Sequence, residues 1–408
     1  MMHANIHRPP VDTTFAEELA KKFYHFSKVS YIKEMESYMD RNFYIRGERR
    51  EKACTNEDKS KQFTDNNAEE REYVLKILNS FDSKHEDFVS AENEAMLFLR
   101  ERNFLCPLPY TVAGSSAIQL NVHVPCAVNL TDEACNSINA DDNRESSTAE
   151  KCIMRLLSFL PGVTAAEFGK YSDKNLVCIG QFVGQLSRNL QEFQCPLLRS
   201  KLDRWSIENF LSLKEYLTFV KGQESNRLIR GVLGRFETHV IPKLSLLRRG
   251  ILHYDVTRSN LVLDRSNDSF EISGIIDFGD IRHSCLLLEL VNTVASFIDE
   301  NHVLIDSGHL ITGYQAIFPL TDAEFALLYD MISVRLCQVC LITSKETSEY
   351  PENKHLQNLL MEYETKMRAW LTHSEERVLS YWESVGLGVH SDSDHSQEFV
   401  TESKQLEQ

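Results

Sequence analysis

Hydrophobic and polar positions divide the chain into a strand-rich first part and a helix-rich second part. Short apolar runs typical of strands occupy 37–46, 71–78 and 152–160. From Asn175 onward apolar residues recur at helical spacing, and the predicted later helices are 223–247, 285–300, 302–317, 322–344 and 354–385. Because Pro161 and Gly162 stop the third strand, they mark the predicted boundary between the two parts.

Two capping-box patterns predict helices in the first part. Thr14–Glu17 indicates a helix over about 15–26, and Ser83–Glu86 indicates one that runs to about Arg102. At 100° per residue, Glu92 lies beside the apolar stripe of the second helix. Glu92 is therefore the candidate acidic partner for a lysine on the predicted strand 71–78, Lys76. The alternative is that Glu92 is an ordinary surface residue.

The pattern predicts two lobes and a tail. Residues 1–160 form the predicted N-terminal lobe, with polar surface loops near 47–67 and 129–149. Residues 161–388 form a predicted, mainly helical C-terminal lobe, and 389–408 form a predicted disordered acidic tail. The predicted fold class is α+β.

One stretch, residues 251–280, concentrates the candidate chemistry. Apolar runs at 261–263 and 272–276 flank a turn-forming segment, which predicts a β-hairpin. A hairpin brings its ends together, so Asn260 and Asp277 become neighbours. Two oxygen donors on adjacent strands suit Mg²⁺, which takes few protein ligands and leaves the rest to phosphates and water. Asp255 precedes the hairpin on a loop, where a carboxylate can accept a hydroxyl proton.

These residues match the kinase-type order H-x-D-x-x-x-x-N followed by D-F-G, with Asn260 and Asp277 separated by 17 positions. An acidic hairpin with a buried histidine is the alternative. Lys76 stands between Leu75 and Ile77 on a predicted strand. Taken alone, this position indicates a lysine on the solvent-exposed face of the strand. Together with the kinase-type motif further along the chain, it predicts a lysine that reaches nucleotide phosphates.

Charge and cysteine content narrow the classes of partner. The net charge of −16 argues against nucleic acid or an anionic membrane as partner. Ten scattered cysteines predict reduced thiols and a cytoplasmic location. Cys337 and Cys340 lie at helical spacing in an apolar segment, which favours core packing over zinc binding or redox chemistry. No apolar run reaches membrane-spanning length, and no obligate protein partner is evident.

Six segments resemble the aminoglycoside phosphotransferase and choline kinase superfamily and, more narrowly, the hydroxylysine kinases. They are SYMDRNF at 37–43, VLKILN at 74–79, RLLSFLPG at 155–162, GIIDFGD at 274–280, RLCQ at 335–338 and YPENK at 350–354. The resemblance covers most of residues 14–385. It implies a protein-kinase-like two-lobed fold with a small antiparallel sheet lobe and a larger, mainly helical lobe. On this resemblance, residues 1–160 are the nucleotide-binding lobe, and residues 161–388 are the lobe for catalysis and acceptor binding.

The resemblance also implies roles for individual residues. Asp255 is the catalytic base, Asn260 and Asp277 bind Mg²⁺, and Lys76 contacts the phosphates. The donor is GTP or ATP, and the acceptor is the side-chain hydroxyl of 5-hydroxy-L-lysine. Asp40 and Asn42 take the place of a glycine-rich loop over the phosphates. The adenine packs beside the third strand, with hydrogen bonds to its backbone around Arg155–Leu157.

Three residues of the second lobe are candidates for acceptor recognition. An amino-acid acceptor requires partners for its carboxylate and its ammonium group. Arg335 is a candidate for the carboxylate, Glu289 for the ammonium group, and Trp205 for the wall of the pocket. The alternative for Arg335 is an interhelical salt bridge, and the alternative for Glu289 is that it only stabilises its helix. For Trp205 the alternative is ordinary packing.

The sequence departs from the family at one position beside the proposed base. The family usually reads H-G-D, whereas this chain reads His253-Tyr254-Asp255. Tyr254 is predicted to narrow the acceptor pocket. Two alternatives therefore remain: a kinase of the same fold that acts on choline, ethanolamine or another small molecule, and an inactive kinase-like binding protein. The intact set Lys76, Asp255, Asn260 and Asp277 argues against the inactive protein.

Overall fold

A computed structural model of the chain describes residues 8–37, 39–49, 70–125, 149–266 and 269–387. The chain divides into two compact units. Unit 1 holds the described residues up to Lys170, together with Leu186–Lys201 and Gly250–Ser284. Unit 2 holds Tyr171–Gln185, Leu202–Arg249 and the described residues from Cys285 onward. The predicted single boundary near residue 160 differs from this division, because the segment 250–284 belongs with the N-terminal sheet.

Unit 1 is built on an antiparallel sheet with the order β1-β2-β3-β6-β4, in which β5 also pairs with β6. The strands are β1 (Phe26–Met35), β2 (Arg41–Arg49), β3 (Glu70–Ile77), β4 (Pro109–Tyr110), β5 (Gln119–Pro125) and β6 (Ala149–Ser158). Helices α1 (Thr13–Tyr24) and α2 (Glu86–Glu101) belong to the same unit. The strands predicted at 37–46, 71–78 and 152–160 correspond to β2, β3 and β6.

The alternation of side chains along β3 gives the sheet two different faces. Tyr73, Leu75 and Ile77 are buried in one apolar cluster with residues of α1. Lys76 points to the opposite face, and its register partner on β6 is Arg155. On that face Ile153 packs in a smaller cluster with Val89 of α2. The sheet therefore presents two basic side chains toward the α2 side.

Both predicted capping boxes are wrong in detail. Helix α1 is capped by Asp12, whose side chain accepts a hydrogen bond from Phe15 N at 2.8 Å. The chain then continues directly into β1, a strand that the sequence pattern did not reveal. At α2 the hydroxyl of Ser83 is engaged elsewhere, because it accepts from Ile153 N at 2.9 Å and donates to Leu78 O at 3.2 Å. Ser83 therefore joins the helix entrance to β6.

The predicted hairpin at 261–276 is confirmed. Strands β9 (Leu261–Ser266) and β10 (Ser269–Ile275) pair antiparallel, with Leu261 opposite Ile275. β7 (Val163–Thr164) extends this small sheet, and β8 (Arg249–Leu252) pairs with β11 (Arg282–Cys285). A short helix, α3 (Ala165–Phe168), follows β7.

Unit 2 is helical in the part that the structure describes. Its helices are α4 (Asp173–Leu190, shared with unit 1 after Gln185), α5 (Gln223–Arg235), α6 (Leu287–Phe297), α7 (Val303–Ile317), α8 (Asp322–Glu349), α9 (Lys354–Leu371) and α10 (Glu375–Ser384). The predicted helix 354–385 is two helices, because Ser374 caps a new one. The predicted helix 223–247 leaves the α conformation at Arg235, shortly before Pro242.

Helix α8 is the core of unit 2. Among the described helices it alone has the length and mean hydropathy (1.7) of a membrane span, and 94% of that window is buried inside the protein. Cys337 and Cys340 lie on it, both fully buried, and burial raises the pKa of both thiols. This burial is the packing that the sequence predicted for the pair.

The predicted surface loops and acidic tail lie outside the described residues, with small exceptions. Gly47–Arg49 end β2, and Ala149 begins β6. The antiparallel sheet of unit 1 and the helices of unit 2 give the α+β class that was predicted.

Candidate active site

Three of the predicted site residues meet at the base of the hairpin in unit 1. Asn260 Nδ2 donates to Asp255 Oδ2 at 2.6 Å and to Asp255 O at 3.0 Å. Ile276 N donates to Asn260 O at 2.9 Å, so Asp277 directly follows the residue that is bonded to Asn260. Because the amide nitrogen of Asn260 holds Asp255, its amide oxygen is the group left for a cation.

Asp277, two residues after the end of β10, has a backbone conformation that few residues adopt. Its φ is 63° and its ψ is 78°, in the left-handed region. Asp tolerates this region because its short side chain bonds locally, and here Oδ1 accepts from Gly279 N at 3.4 Å. The side chain is 48% exposed. The turn therefore presents a carboxylate outward at the end of the hairpin.

Lys76 is held by two carboxylates. Its Nζ lies 3.0 Å from Asp277 Oδ1 and 3.0 Å from Asp40 Oδ2. Burial acts to lower the pKa of Lys76, but the negative charges of Asp277 and Asp40 outweigh it and raise the pKa. Lys76 in turn lowers the pKa of Asp277 to about 2. Both groups are charged at neutral pH, and Lys76, at 7% exposure, is not a surface residue of the strand.

His253 joins the loop that carries Asp255 to the turn that carries Asp277. Its ring is fully buried and packs edge-on against Phe278, with centroids 4.7 Å apart. Burial lowers the pKa of His253 to about 4, so the ring is neutral at pH 7. Nε2 lies 3.2 Å from Ile276 O, and Nδ1 lies 3.3 Å from Asp255 N. A neutral ring with its proton on Nε2 satisfies both contacts.

Tyr254 does not line an open pocket. The residue is 2% exposed, and the guanidinium carbon of Arg282 lies 4.1 Å from the centre of its ring. Its φ of 72° places a bulky side chain in the left-handed region, at a cost of about 1 to 2 kcal/mol relative to an ordinary backbone. The predicted role in narrowing an acceptor pocket is therefore wrong for this conformation, because the ring has almost no accessible surface.

Glu92 is buried and faces the sheet, but its partner is not Lys76. Glu92 Oε2 accepts from Arg155 at 2.9 Å, and Oε1 lies 3.7 Å from Lys201. Arg155 stands opposite Lys76 in the register and reaches α2 with its longer side chain, whereas Lys76 is occupied by Asp40 and Asp277. The expected lysine–glutamate pair is therefore replaced by an arginine–glutamate pair.

The predicted contact between adenine and the backbone at Arg155–Leu157 is also corrected. On one side these residues pair with β3, where Arg155 faces Lys76 and Leu157 faces Val74. On the other side they pair with β5 and β4. A strand paired on both sides has no free backbone groups to offer a base. β6 ends at Ser158, so the backbone of 159–162 is a better candidate for hydrogen bonds to the adenine.

Asp40 and Asn42 were expected to cap the phosphates. Asp40 instead anchors the end of β3, because its Oδ1 accepts from Asn79 N and Asn79 Nδ2 at 2.9 Å each, while Oδ2 faces Lys76. A carboxylate in this position repels a phosphate, so this prediction is corrected for its side chain. Asn42 lies opposite Lys76 on β2, and its buried Oδ1 has no hydrogen-bond partner in the part of the chain that the structure describes.

Two basic residues near the Asp277 turn were not singled out by the sequence. Lys201 Nζ donates to Gly279 O and also approaches Glu92. Arg282 Nε donates to Asp280 O at 2.9 Å, and its NH2 group donates to Asp280 Oδ1 at 2.8 Å. Arg282 could have been found from the sequence, because it lies two residues after the D-F-G-D motif that ends at Asp280. Lys201 gave no signal, since the fold alone brings it there.

The acceptor candidates lie in unit 2. The Arg335 guanidinium lies over the Trp205 ring at 5.1 Å, and Gln338 bonds to both residues, accepting from Arg335 at 3.1 Å and donating to Trp205 O at 3.0 Å. Glu289 is fully buried on α6. The structure therefore groups Arg335 with Trp205 but leaves Glu289 no surface on which to meet an ammonium group.

The donor set fits a hard cation with few protein ligands. No group of three or more His, Cys, Asp or Glu side chains that could hold a metal ion is present among the described residues. Asn260 and Asp277 instead offer an amide oxygen and a half-exposed carboxylate. Such oxygens suit Mg²⁺, which completes its shell with water and phosphate, and they do not suit a zinc cage.

Comparisons with known proteins show which family and which relatives the chain resembles. The model of the Phosphotransferase enzyme family matches residues 57–316. The chain is 26% identical to hydroxylysine kinase of Xenopus laevis, over 92% of this chain and 97% of that protein. It is 28% identical to hydroxylysine kinase of Bos taurus, over 80% of each chain.

Solved structures show the fold. An amicoumacin kinase in complex with AMP-PNP and Ca²⁺ superposes with a TM-score of 0.58 at 15% identity, covering 88% of this chain and 93% of that one. An aminoglycoside 2′-phosphotransferase in complex with GDP gives a TM-score of 0.52 at 9% identity, covering 87% and 99%. The predicted kinase-like fold is therefore confirmed.

Proposed function

The chain belongs to the phosphotransferase enzyme family, and from this premise we propose that it transfers the terminal phosphoryl group of a nucleoside triphosphate to the hydroxyl of a small amino alcohol. The main support for this proposal is the cluster of Lys76, Asp255, Asn260 and Asp277 in unit 1. There Asp255 is held by Asn260, and the neighbouring Asp277 is paired with Lys76. These are the groups that phosphoryl transfer requires: a base, oxygen ligands for a metal, and a cation for the phosphates.

The acceptor that we propose is 5-hydroxy-L-lysine. Support comes from relatives that carry the name hydroxylysine kinase and that align over 80 to 92% of this chain. The proposed donor is GTP, with ATP as the alternative, on the resemblance to the same group. The structurally similar kinases were solved with GDP in one case and with AMP-PNP in another, so the fold accommodates either base.

Each residue of the cluster has a distinct task in this proposal. Asp255 accepts the proton of the acceptor hydroxyl late in the transfer, and Asn260 fixes the carboxylate for that contact. Lys76 exchanges one of its carboxylate partners for phosphate oxygens. Mg²⁺ bound by Asn260 and Asp277 would neutralise charge on the phosphates. Because the transition state is loose, positioning and neutralisation account for most of the rate.

Acceptor recognition is proposed for Arg335 and Trp205. A guanidinium group matches a carboxylate in two parallel hydrogen bonds, and an indole ring packs against an aliphatic chain or a cation. Arg335 already lies over Trp205, so one amino acid can meet both side chains. Changing Arg335 to Met should raise the KM for the acceptor and leave the KM for the nucleotide unchanged.

The test is a panel of acceptors with purified full-length protein, Mg²⁺ and either GTP or ATP, in which release of nucleoside diphosphate is measured. The panel holds 5-hydroxy-L-lysine, choline and ethanolamine, with L-lysine as the matched control that lacks the hydroxyl. We expect release with 5-hydroxy-L-lysine and none above background with L-lysine. Release with choline or ethanolamine alone would replace the proposed acceptor. Nucleotide binding without release for any acceptor would indicate a binding protein instead.

A further inference from the structure

Asp255 and Asp277 stand on two separate loops, and their relative position decides whether a hydroxyl and a metal-bound phosphate can meet. The hairpin β9–β10 joins the loops at its base. A second connection runs through side chains of unit 1 that the proposed reaction does not use. These are Tyr254, directly before Asp255, and Arg282, which follows the Asp277 turn.

Each loop contains one residue other than glycine in the left-handed backbone region. Tyr254 has a φ of 72° and Asp277 a φ of 63°, and only His25 and Asn103 share this property among the described residues. Asp277 is relieved by its own hydrogen bond to Gly279 N. The long side chain of a tyrosine is not suited to such a short local bond, so we expect surrounding contacts to hold this conformation. The strain at Tyr254 therefore points to a contact that selects this conformation.

One such contact is the guanidinium group of Arg282. It lies 4.1 Å from the centre of the Tyr254 ring, and the two residues are 1% and 2% exposed. Attraction between a cation and an aromatic face is strongest when both are removed from water. The ring and the cation therefore fix each other.

Arg282 is tied to the turn of Asp277 at its other edge. Its Nε and NH2 groups donate to Asp280, one to the backbone oxygen and one to the carboxylate. Asp280 ends the short turn Phe278–Asp280 that begins directly after Asp277. The chain of contacts thus runs from the residue before the base to the third residue after the metal ligand.

We propose that Tyr254, Arg282 and Asp280 form a clamp that sets the position of Asp255 relative to Asp277. This inference rests on the proposed function, since it gives these two carboxylates their roles. Tyr254 and Arg282 are positioning residues: they are buried, and they act on the reaction through the two loops. The tyrosine beside the base is then part of the reaction geometry instead of part of the acceptor pocket.

The test compares four variants of the full chain. Tyr254→Leu and Arg282→Met each remove one half of the clamp, and Tyr254→Phe keeps the ring. Arg102→Met is the matched control, because Arg102 lies 3.6 Å over the Phe98 ring in the same unit and pairs with Glu192 instead of Asp280. We expect Tyr254→Leu and Arg282→Met to lower kcat by about tenfold, with both KM values within about twofold of the wild type. Tyr254→Phe and Arg102→Met should keep kcat within about threefold.

Hydrogen–deuterium exchange provides a readout that does not depend on turnover. Tyr254→Leu should speed exchange in 276–284, and Arg282→Met should speed exchange in 251–260, since each variant loosens the opposite loop. The double variant should be no slower in catalysis than the worse single variant, because both lose the same contact. Independent, multiplicative losses of kcat, or exchange that changes only in the mutated loop, would overturn the clamp.

Failure of the clamp and failure of the proposed function give different results. If the wild type turns over no acceptor, the proposed function fails, and the exchange experiment still decides whether the two loops are coupled. If the wild type is active and Tyr254→Leu matches Tyr254→Phe in kcat and in exchange, the clamp fails while the proposed function stands.

Discussion

Two ion-pair clusters lie side by side on one face of the sheet in unit 1, and they are built differently. Lys76 and Arg155 are register partners on β3 and β6. The side chains of Arg155 and its partner Glu92 are 1% and 5% exposed. Lys76 is almost as buried at 9%, but its partner Asp277 is 48% exposed. We therefore regard Arg155–Glu92 as a closed pair and Lys76–Asp277 as an open one.

The difference indicates separate tasks for two similar pairs. A closed pair costs much to break, because removal of one partner leaves the charge of the other buried. An open pair can exchange a partner with a ligand, since water or phosphate reaches the carboxylate side. We therefore expect the closed pair to secure α2 to the sheet and the open pair to take part in the proposed reaction.

The largest expected effect is on the open pair. Lys76→Met keeps the aliphatic chain and removes the charge, so we expect kcat/KM to fall by about 1000-fold, the upper end for loss of one group that stabilises transition-state charge. Stability should fall less than in Glu92→Gln. Steady-state kinetics and chemical denaturation of the same preparation measure both quantities. A Lys76→Met protein that unfolds easily but retains turnover would reverse the assignment of the two pairs.

Asp255→Asn should lower kcat by at least about 100-fold, because a positioned base contributes about 100- to 10,000-fold. The substitution keeps the shape of the side chain, so the KM for the nucleotide should change little. Turnover like that of the wild type would remove Asp255 from its role as base. The metal and phosphate contacts would then have to account for the whole rate.

The closed pair should show the opposite profile. Glu92→Gln leaves Arg155 buried beside a neutral amide, and we expect the free energy of unfolding to fall by about 3 kcal/mol. Turnover measured well below the melting temperature should stay within about tenfold of the wild type. Glu86→Gln on the same helix is the control: Glu86 pairs with Lys151 at the surface, and its loss should cost about 1 kcal/mol or less. Equal losses in the two variants would contradict the distinction between closed and exposed pairs.

The smallest expected effect concerns pH. Burial lowers the pKa of His253 from 6.5 to about 4, so the folded state favours the neutral ring. Its contribution to stability is complete above pH 6.5 and is lost as the pH falls toward 4. His253→Gln removes this titration. The difference in unfolding free energy between wild type and variant should therefore shrink between pH 6.5 and 4, and a constant difference would show that His253 does not titrate in this range.

Much of the fold followed from the sequence because the signals were local. The hairpin was predictable from two apolar runs around a polar turn, and the kinase-type spacing placed Asn260 and Asp277 at its base. The later helices followed from apolar periodicity. β1 was missed because Phe26 is the only buried residue in Phe26–Met35, so the strand lacks a regular apolar face.

The partners of charged residues could not be predicted in the same way. Glu92 was correctly placed toward the sheet, but the choice between Lys76 and Arg155 depends on which strand residue reaches α2 and on the presence of Asp40. Tyr254 was recognised as unusual, yet its burial depends on Arg282, which comes close only through the fold. The periodicity of apolar residues predicts which face of a helix or strand a residue occupies. It does not predict which distant side chains pair, such as Tyr254 with Arg282, because that depends on tertiary packing.

The most direct test of the central claim is detection of the product. Full-length protein is incubated with Mg²⁺, GTP or ATP, and 5-hydroxy-L-lysine, and phosphorus NMR is used to look for a phosphate ester on the acceptor hydroxyl. Asp277→Asn is run in parallel. We expect the ester with the wild type and at most a trace with Asp277→Asn. Equal amounts of ester from both proteins would contradict the role of Asp277, and no ester on any hydroxyl-bearing acceptor would contradict the proposed reaction.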